Sequence, residues 1–478
     1  MTASDLLALL PLLLVAATSV IVMLATTVNR SHALALVLTL LGLAAAFCSV
    51  FFAHLRQVTA LLIIDSYALF FMGLIVAASF TVALLAYGYL AAREGNREEF
   101  YVLMLVATLG AMVLAASTHF VSFFLGLEIL SVALYALTSY LHGRTLPVEA
   151  GIKYLVLAAA SAAFLLFGIA LVYATLGTMQ FARVAQILAT SVDLNLTLLL
   201  PGVALIVTGI GFKLALVPFH MWTPDVYEGA PTPVTAFVAT VSKGGIFALL
   251  LRYFHQSGAH TFAPIFLVFS IIAVASMFAG NLLALLQNNV KRILAYSSIA
   301  QMGYLLVAFQ IGGPMGTSAA AFYLVAYFVM TLGAFGVVTV LSESQRDADL
   351  LDDYRGLFWR RPALALVFTA MLLSLAGIPL TAGFLGKFYI VAAGASAAAW
   401  ALILILVITS TIGLFYYLRV VVVLYQQPAA GDRAHEPVPR QAPAATLVLA
   451  TLTVILVWLG VYPTPLLRVI QAAIGSLG

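Results

Sequence analysis

The chain has 478 residues, of which 21 are Lys or Arg and 17 are Asp or Glu, so only 8% carry formal charge, against about 25% in a soluble domain. With 64% hydrophobic residues and a mean hydropathy of +1.14, a water-soluble globule of this size is excluded, because so few charges cannot make its surface polar. The net charge of +4 and pI near 9.0 rest on few residues placed beside apolar runs, so they argue for membrane orientation rather than nucleic-acid binding.

The apolar residues recur in runs of about 20, the length that crosses a hydrocarbon core, and they do not alternate as barrel strands do. The class is therefore an all-α polytopic membrane protein. In chain order the spacing predicts fourteen spans. The first five lie near 6–27, 33–53, 66–90, 98–117 and 119–141; four follow near 149–175, 196–221, 232–255 and 262–286; the last five lie near 290–311, 315–342, 362–393, 397–426 and 444–462. Roughly 11 residues remain per connection, too few for a soluble domain. The first span lacks a basic leader and an A-x-A cleavage site, so it reads as retained. The whole chain then forms one membrane domain: a three-helix segment at 1–97, five-helix units at 98–260 and 261–426, and a closing helix at 427–478.

An even number of spans puts both termini on one side, and positive residues select it. The odd-numbered connections hold thirteen Lys or Arg residues, from Arg30 to Arg440 and including Arg433, whereas the opposite side holds Arg56, Arg183, Arg252 and Arg468. Both termini are expected on the non-cytoplasmic side. Cys48 is the single cysteine, which excludes a disulfide framework, a cysteine zinc site and an iron-sulfur cluster held by this chain alone. The eight His residues show no HExxH spacing, and no GxGxxG opens a nucleotide-binding unit. Any redox chemistry belongs to another chain.

Arg and Lys divide sharply. All sixteen Arg residues fall at span ends or in connections, whereas Lys153, Lys213, Lys243 and Lys387, four of the five Lys residues, fall within spans. An ammonium group taken out of water can give up its proton, which a guanidinium does not do, so lysines at membrane depth are candidates for loading and releasing protons. Glu128 is the one carboxylate well inside a span, and Lys153 on the next span is the cation available to pair with it. The bland alternative is that both snorkel to the boundary.

The seventh span carries Lys213, Pro218 and His220; Pro218 lacks an N–H and clashes with the carbonyl of Leu214, so a kink or break is expected within a turn of Lys213. Freed carbonyls beside a lysine would make a hydratable site, as in transporters with discontinuous helices; a kink that only shapes packing is the competing reading. The stretch 223–233, rich in proline and carrying Asp225 and Glu228, reads as a rigid loop with solvated charges. Lys243 lies near the middle of the eighth span, out of snorkelling reach, beside Gly244 and Gly245, which permit close helix approach or bound water. The twelfth span places Gly377, Pro379 and Gly383 beside Lys387. Broken spans seven and twelve, five apart, point to two inverted five-helix repeats, spans 4–8 and 9–13. Tyr296, Ser298, Gln301 and Tyr304 in the tenth span and Tyr323 and Tyr327 in the eleventh could relay protons, although such residues more often glue helices together.

The run from Phe219 to Val234 (FHMWTPDVYEGAPTPV) and that from Asn289 to Tyr304 (NVKRILAYSSIAQMGY) resemble the antiporter-like membrane subunits of proton-pumping NADH:quinone oxidoreductase, respiratory complex I. The VYEGAPTPV form is similar to the N type of that family; the M and L types and subunits of cation/proton antiporters read more like PDAH…APTPVSA. The resemblance covers nearly the whole chain and implies roles residue by residue. Glu128 would pair with Lys153, Lys213 would serve the input half-channel, Lys243 the central axis and Lys387 the exit side, with His220 and the tyrosines as possible relays. It also implies FMN, iron-sulfur clusters and quinone on partner subunits, M-type and small membrane subunits together with lipids as neighbours, and a place in the bacterial inner membrane. A subunit of a multi-subunit cation/proton antiporter is the alternative within the same superfamily.

Overall fold

The computed structural model describes residues 2–190, 195–257, 263–427 and 443–477; the boundary expected between 260 and 261, and the connection holding Arg433 and Arg440, lie outside them. Thirteen helices among the described residues are long and apolar enough to cross a membrane. The N-terminal segment contributes α1 (Leu10–Val28), α2 (His32–Ser49) and α3 (Ser66–Ala91), with a short antiparallel hairpin between the last two that pairs Arg56 with Ile64 and Gln57 with Ile63. Next come α4 (Glu99–Ala116), α5 (Phe120–Thr138), α6 (Thr145–Leu176) and the short helix α7 (Phe181–Thr190). The broken crossing follows as α8 (Leu196–Lys213) and α9 (Trp222–Gly229), and then α10 (Thr232–Gln256).

The second half begins with α11 (Ala263–Leu285), α12 (Val290–Ile311) and α13 (Gly313–Leu341). The expected twelfth span is two helices, α14 (Pro362–Ala376) and α15 (Ala382–Ser396), each shorter than a crossing. The chain closes with α16 (Trp400–Tyr425), α17 (Pro443–Val461) and α18 (Thr464–Ile474). Polar side chains set several helix starts by occupying orphan backbone N–H groups: Asp65 accepts from Ala68 N at 2.7 Å and Asn289 from Arg292 N at 3.0 Å.

The stretch expected to be a rigid loop, 223–233, is largely helical. α9 starts at Trp222, whose indole N–H donates to the carbonyl of Phe212 at 2.9 Å, and Pro224 falls within the first turn, where its missing N–H costs nothing. α10, α12 and α13 form the centre of the bundle and are almost wholly buried, whereas α1, α2 and α17 turn most of their surface outward. The centre is thus the most enclosed part of the molecule, and it is built from the three helices that carry Lys243, Ser298, Gln301, Tyr304, Tyr323 and Tyr327.

Arg252, expected at a solvated span end, is instead fully buried. Its guanidinium grips Asp65 through two hydrogen bonds of 2.7 and 2.8 Å, donates to the carbonyl of Ala115, and lies 4.8 Å from the Tyr67 ring. The fork matches a carboxylate that simultaneously caps α3, so one ion pair ties α3, α4 and α10 together. Asp65→Ala should leave a buried cation unpaired and cost about 3–5 kcal/mol. A lowered thermal-unfolding midpoint in detergent, restored by pairing Asp65→Leu with Arg252→Met, is the expected result.

Candidate functional site

Lys243, Lys213 and Lys387 are buried, and each is met by one hydroxyl and by aromatic rings rather than by a carboxylate within ion-pair distance. Lys243 follows a π-helical turn, Val238–Ser242, that interrupts α10 at the lysine. Its Nζ donates to Ser298 Oγ at 2.6 Å and sits 5.7 Å from the Tyr227 ring. Ser298 Oγ in turn shares a 2.6 Å hydrogen bond with Tyr327 Oη. The two glycines serve close packing: a Cβ on Gly244 would lie 2.3 Å from the Phe328 ring, and one on Gly245 would lie 3.0 Å from Ala111.

Lys387 uses the break in the twelfth crossing. α14 ends at Ala376 because Gly377 adopts a left-handed φ of +90°, and the carbonyls of Leu375 and Ala376, released from the helix ladder, each accept from Lys387 Nζ at 3.0 Å. Ser410 on α16 accepts a third hydrogen bond at 2.8 Å, and the Tyr304 ring lies 4.9 Å away. Tyr304 Oη accepts from Asn281, whose carbonyl oxygen accepts from Tyr416. Gln301 closes the circuit toward Lys243: its amide donates to the same Leu375 carbonyl at 3.0 Å and its carbonyl accepts from Tyr323 Oη. Ser298 and Gln301 lie one turn apart on α12, as Tyr327 and Tyr323 do on facing α13. The hydrogen-bonded groups therefore run from Lys243 to Lys387 with one helical turn between their two halves.

Lys213 is the last residue of α8, so the break falls within a turn of it as expected, and Pro218 lies inside the broken stretch 214–221. Its Nζ donates to Ser131 Oγ at 2.6 Å, between the rings of Tyr135 and Tyr154 at 5.7 and 5.4 Å. Glu128, one turn from Ser131 on α5, is the carboxylate in electrostatic range of Lys213. Between Lys213 and Lys243 stands an aromatic wall in which Tyr154 stacks on Trp222 at 4.8 Å and Trp222 meets Tyr227 edge-on. Within it Thr223 Oγ1 and Tyr227 Oη are buried without hydrogen-bond partners, as is His220 Nδ1 in the break.

The expected Glu128 to Lys153 pair is not formed. Lys153 is 43% exposed at its side chain and pairs with Glu149 and Asp225, each at 2.8 Å, while Glu128 Oε1 is buried and accepts no hydrogen bond from a protein group. Helical side chains lean toward the helix N-terminus, and the N-terminus of α6 lies at the Arg-rich boundary, so Lys153 reaches outward. The charges expected to be solvated are paired as well: Asp225 and Glu228 both hold Arg292, at 2.9 and 2.7 Å. Lys291, expected in a connection, is buried on α12. Tyr296 is half-buried and takes no part in the chains described.

Sequence reading missed Ser131, Asn281, Ser410 and the paired Tyr416 and Tyr417. Ser131 was detectable as the residue one turn from Glu128; Ser410 meets Lys387 across a helix pair whose packing no local pattern encodes.

The family described as NADH:quinone oxidoreductase/Mrp antiporter, transmembrane, matches residues 117–413. A NADH-quinone oxidoreductase subunit N from Nitrosospira multiformis is 54% identical, covering 99% of this chain and 97% of that protein. Its counterpart from Ectopseudomonas mendocina is 48% identical over the same shares. A chain in a structure of respiratory complex I from Thermus thermophilus with bound aureothin superposes with a TM-score of 0.82 at 32% identity, covering 97% of this chain and 99% of that one.

Gly244→Ala tests the close packing at Lys243. The added methyl has no room against Phe328, so α10 or that ring must shift, at about 1–3 kcal/mol. Proton pumping by the assembled complex should fall in the alanine variant, and the companion change Phe328→Leu should restore part of it.

Proposed function

The chain belongs to the NADH:quinone oxidoreductase/Mrp antiporter family of membrane subunits, and we propose that it is the N-type antiporter-like subunit of a proton-pumping NADH-quinone oxidoreductase. Protons would cross the membrane along Lys213, Lys243 and Lys387, driven by quinone reduction in other subunits. The observation that carries this reading is the hydrogen-bonded series from Lys243 through Ser298 and Tyr327, and from Tyr323 through Gln301 and the Leu375 carbonyl, to Lys387. Hydroxyls both donate and accept, so Ser298, Tyr327 and Tyr323 can hand a proton on, whereas the Leu375 carbonyl, which accepts from both Gln301 and Lys387, orients the two ends and a relay past it needs water.

The coupling is electrostatic. Two unit charges about 7 Å apart at an effective dielectric near 20 interact by roughly 2 kcal/mol, more than a tenfold change in proton occupancy. Glu128, short of an ion pair with Lys213, can bias that lysine as its surroundings change, and the bias then passes to Lys243 and Lys387. Of the predicted relays, Ser298, Tyr304, Tyr323 and Tyr327 lie on or beside this series. His220 lies in the α8–α9 break, and Tyr296 and Lys153 stand outside it. Spans 4–8 and 9–13 act as inverted repeats whose broken members deliver Lys213 and Lys387.

The translocase activity is that of the whole complex. A single cysteine cannot hold an iron-sulfur cluster, which falls to partner subunits; the family likeness assigns FMN and quinone to partners too, with an M-type subunit and small membrane subunits as its neighbours. The Arg-rich side faces the cytoplasm of a bacterium, with the chain in the inner membrane and both termini on the opposite side. The alternative, a subunit of a cation/proton antiporter, is favoured only by the breadth of the matched family; the full-length relatives at 48–54% identity favour the first reading.

Lys213→Ala and Lys243→Ala should each abolish proton pumping in assembled complexes reconstituted into vesicles. Unchanged pumping stoichiometry in both would remove the proposal, loss of assembly alone would reduce the chain to a scaffold, and Na⁺-dependent proton exchange without quinone-reducing partners would favour the antiporter.

A further inference from the structure

A second buried charge cluster lies on the Arg-rich side, apart from the lysine row. Asp347, in the segment that follows α13, accepts four hydrogen bonds: from Tyr89 Oη at 2.7 Å, Arg93 at 3.0 Å, Thr232 Oγ1 at 2.8 Å and Lys291 Nζ at 3.0 Å. Those donors come from the end of α3, the connection after it, the first residue of α10 and the first turn of α12. Lys291 also donates to the carbonyl of Ala230 at 2.7 Å, and Arg93 to the carbonyls of Tyr89 and Glu343. The Arg93 and Lys291 side chains are 3% and 1% exposed.

A partly polar cleft of about 900 Å³ opens against Arg93, between the α3–α4 and α5–α6 connections; Glu94, Glu99, His142, Arg144 and Ser344 line it too. Behind the cluster run the two helices that hold the first link of the row. Along α12, Ser298 is seven residues beyond Lys291, roughly 10 Å, and along α10, Lys243 is eleven residues beyond Thr232, roughly 16 Å. Of the cluster, Arg93 lines the cleft, while Lys291 and Thr232 stand on the helices that lead to Ser298 and Lys243. Although the Arg93 guanidinium lies 3.4 Å over the Tyr89 ring and holds Asp347 and two carbonyls, its Nε is buried without an acceptor, so with the cleft beside it Arg93 is the member of the cluster with room to move into.

We propose that Arg93, Asp347 and Lys291 form the gate between this cleft and the lysine row, with Arg93 as its moving part. The proposal rests on the proton-translocating reading of the row. With both cations in place the carboxyl cannot be loaded: burial alone would raise its pKa, but Lys291 and Arg93 outweigh that and hold it at about 2. When Arg93 swings into the cleft, Asp347 loses one cation and faces the cleft beside the Tyr89 and Thr232 hydroxyls. A proton from the cleft then binds the carboxylate, leaves toward the row, and the freed carboxylate takes Arg93 back, so charge balances over the cycle. Arg144 beside Arg93, and Asp349 and Tyr354 beside Asp347, are the other titratable groups facing the cluster.

The test uses the whole complex reconstituted into vesicles, reading passive proton leak with a pH-sensitive dye in the absence of NADH. Arg93→Ala should dissipate an imposed gradient several-fold faster than the unsubstituted complex, Arg93→Lys should stay close to tight, and adding Lys243→Ala to Arg93→Ala should abolish the extra leak. Asp347→Glu, which keeps the charge but changes its reach, serves as the second leaking variant if Arg93→Ala does not assemble. Gradients held as tightly as in the unsubstituted complex, together with full pumping, would overturn the gate, as would a leak that survives the loss of Lys243. Pumping by Lys243→Ala alone is read separately, so normal pumping there would strike the reading of the row and leave the leak result to judge the gate.

Discussion

An ammonium group at membrane depth is tolerable only where local dipoles replace the water it has lost, and the interior of this chain is arranged around that requirement. Each of the three central lysines receives one serine hydroxyl: Ser131 for Lys213, Ser298 for Lys243 and Ser410 for Lys387. None is met by a full counter-charge. A close carboxylate would fix the proton by several kcal/mol, whereas a hydroxyl, a freed carbonyl and an aromatic face stabilise the cation modestly and let it go. The same chain does build tight buried ion pairs where no proton need move, as Arg252 with Asp65 shows.

The two intervals in the row differ physically. From Lys243 to Lys387 hydroxyls and amides follow one another with one helical turn of separation, and the break at Gly377 supplies carbonyls that an intact helix would have consumed. From Lys213 to Lys243 the chain places rings instead, with the Thr223 and Tyr227 hydroxyls buried and unpartnered among them. Such a wall offers no continuous hydrogen-bonded series of its own, unlike the interval beyond Lys243.

Much of this was legible in the amino-acid order. Hydropathy located the spans, and the rarity of intramembrane lysine singled out Lys213, Lys243 and Lys387, because burying a cation is costly whatever the tertiary context. Glycine and proline next to lysine announced both breaks. What failed was pairing. Lys153 and Lys291 exchanged their expected places, one at the surface and one buried, because spacing along the chain does not say that Asp225 meets the first and Asp347 the second. Arg252 likewise read as a span-end cation, since only the tertiary fold brings Asp65 to it. The helix at 222–229 was hidden by its prolines, which break helix interiors but are accommodated in a first turn.

Nζ-labelled lysine spectra of the assembled complex, recorded at rest and during steady NADH-driven turnover, test the central claim most directly. The account predicts that at least one of Lys213, Lys243 and Lys387 changes between its charged and neutral forms under turnover while Arg252 and its carboxylate stay paired. Spectra in which all three lysines keep a single protonation state throughout turnover would contradict it.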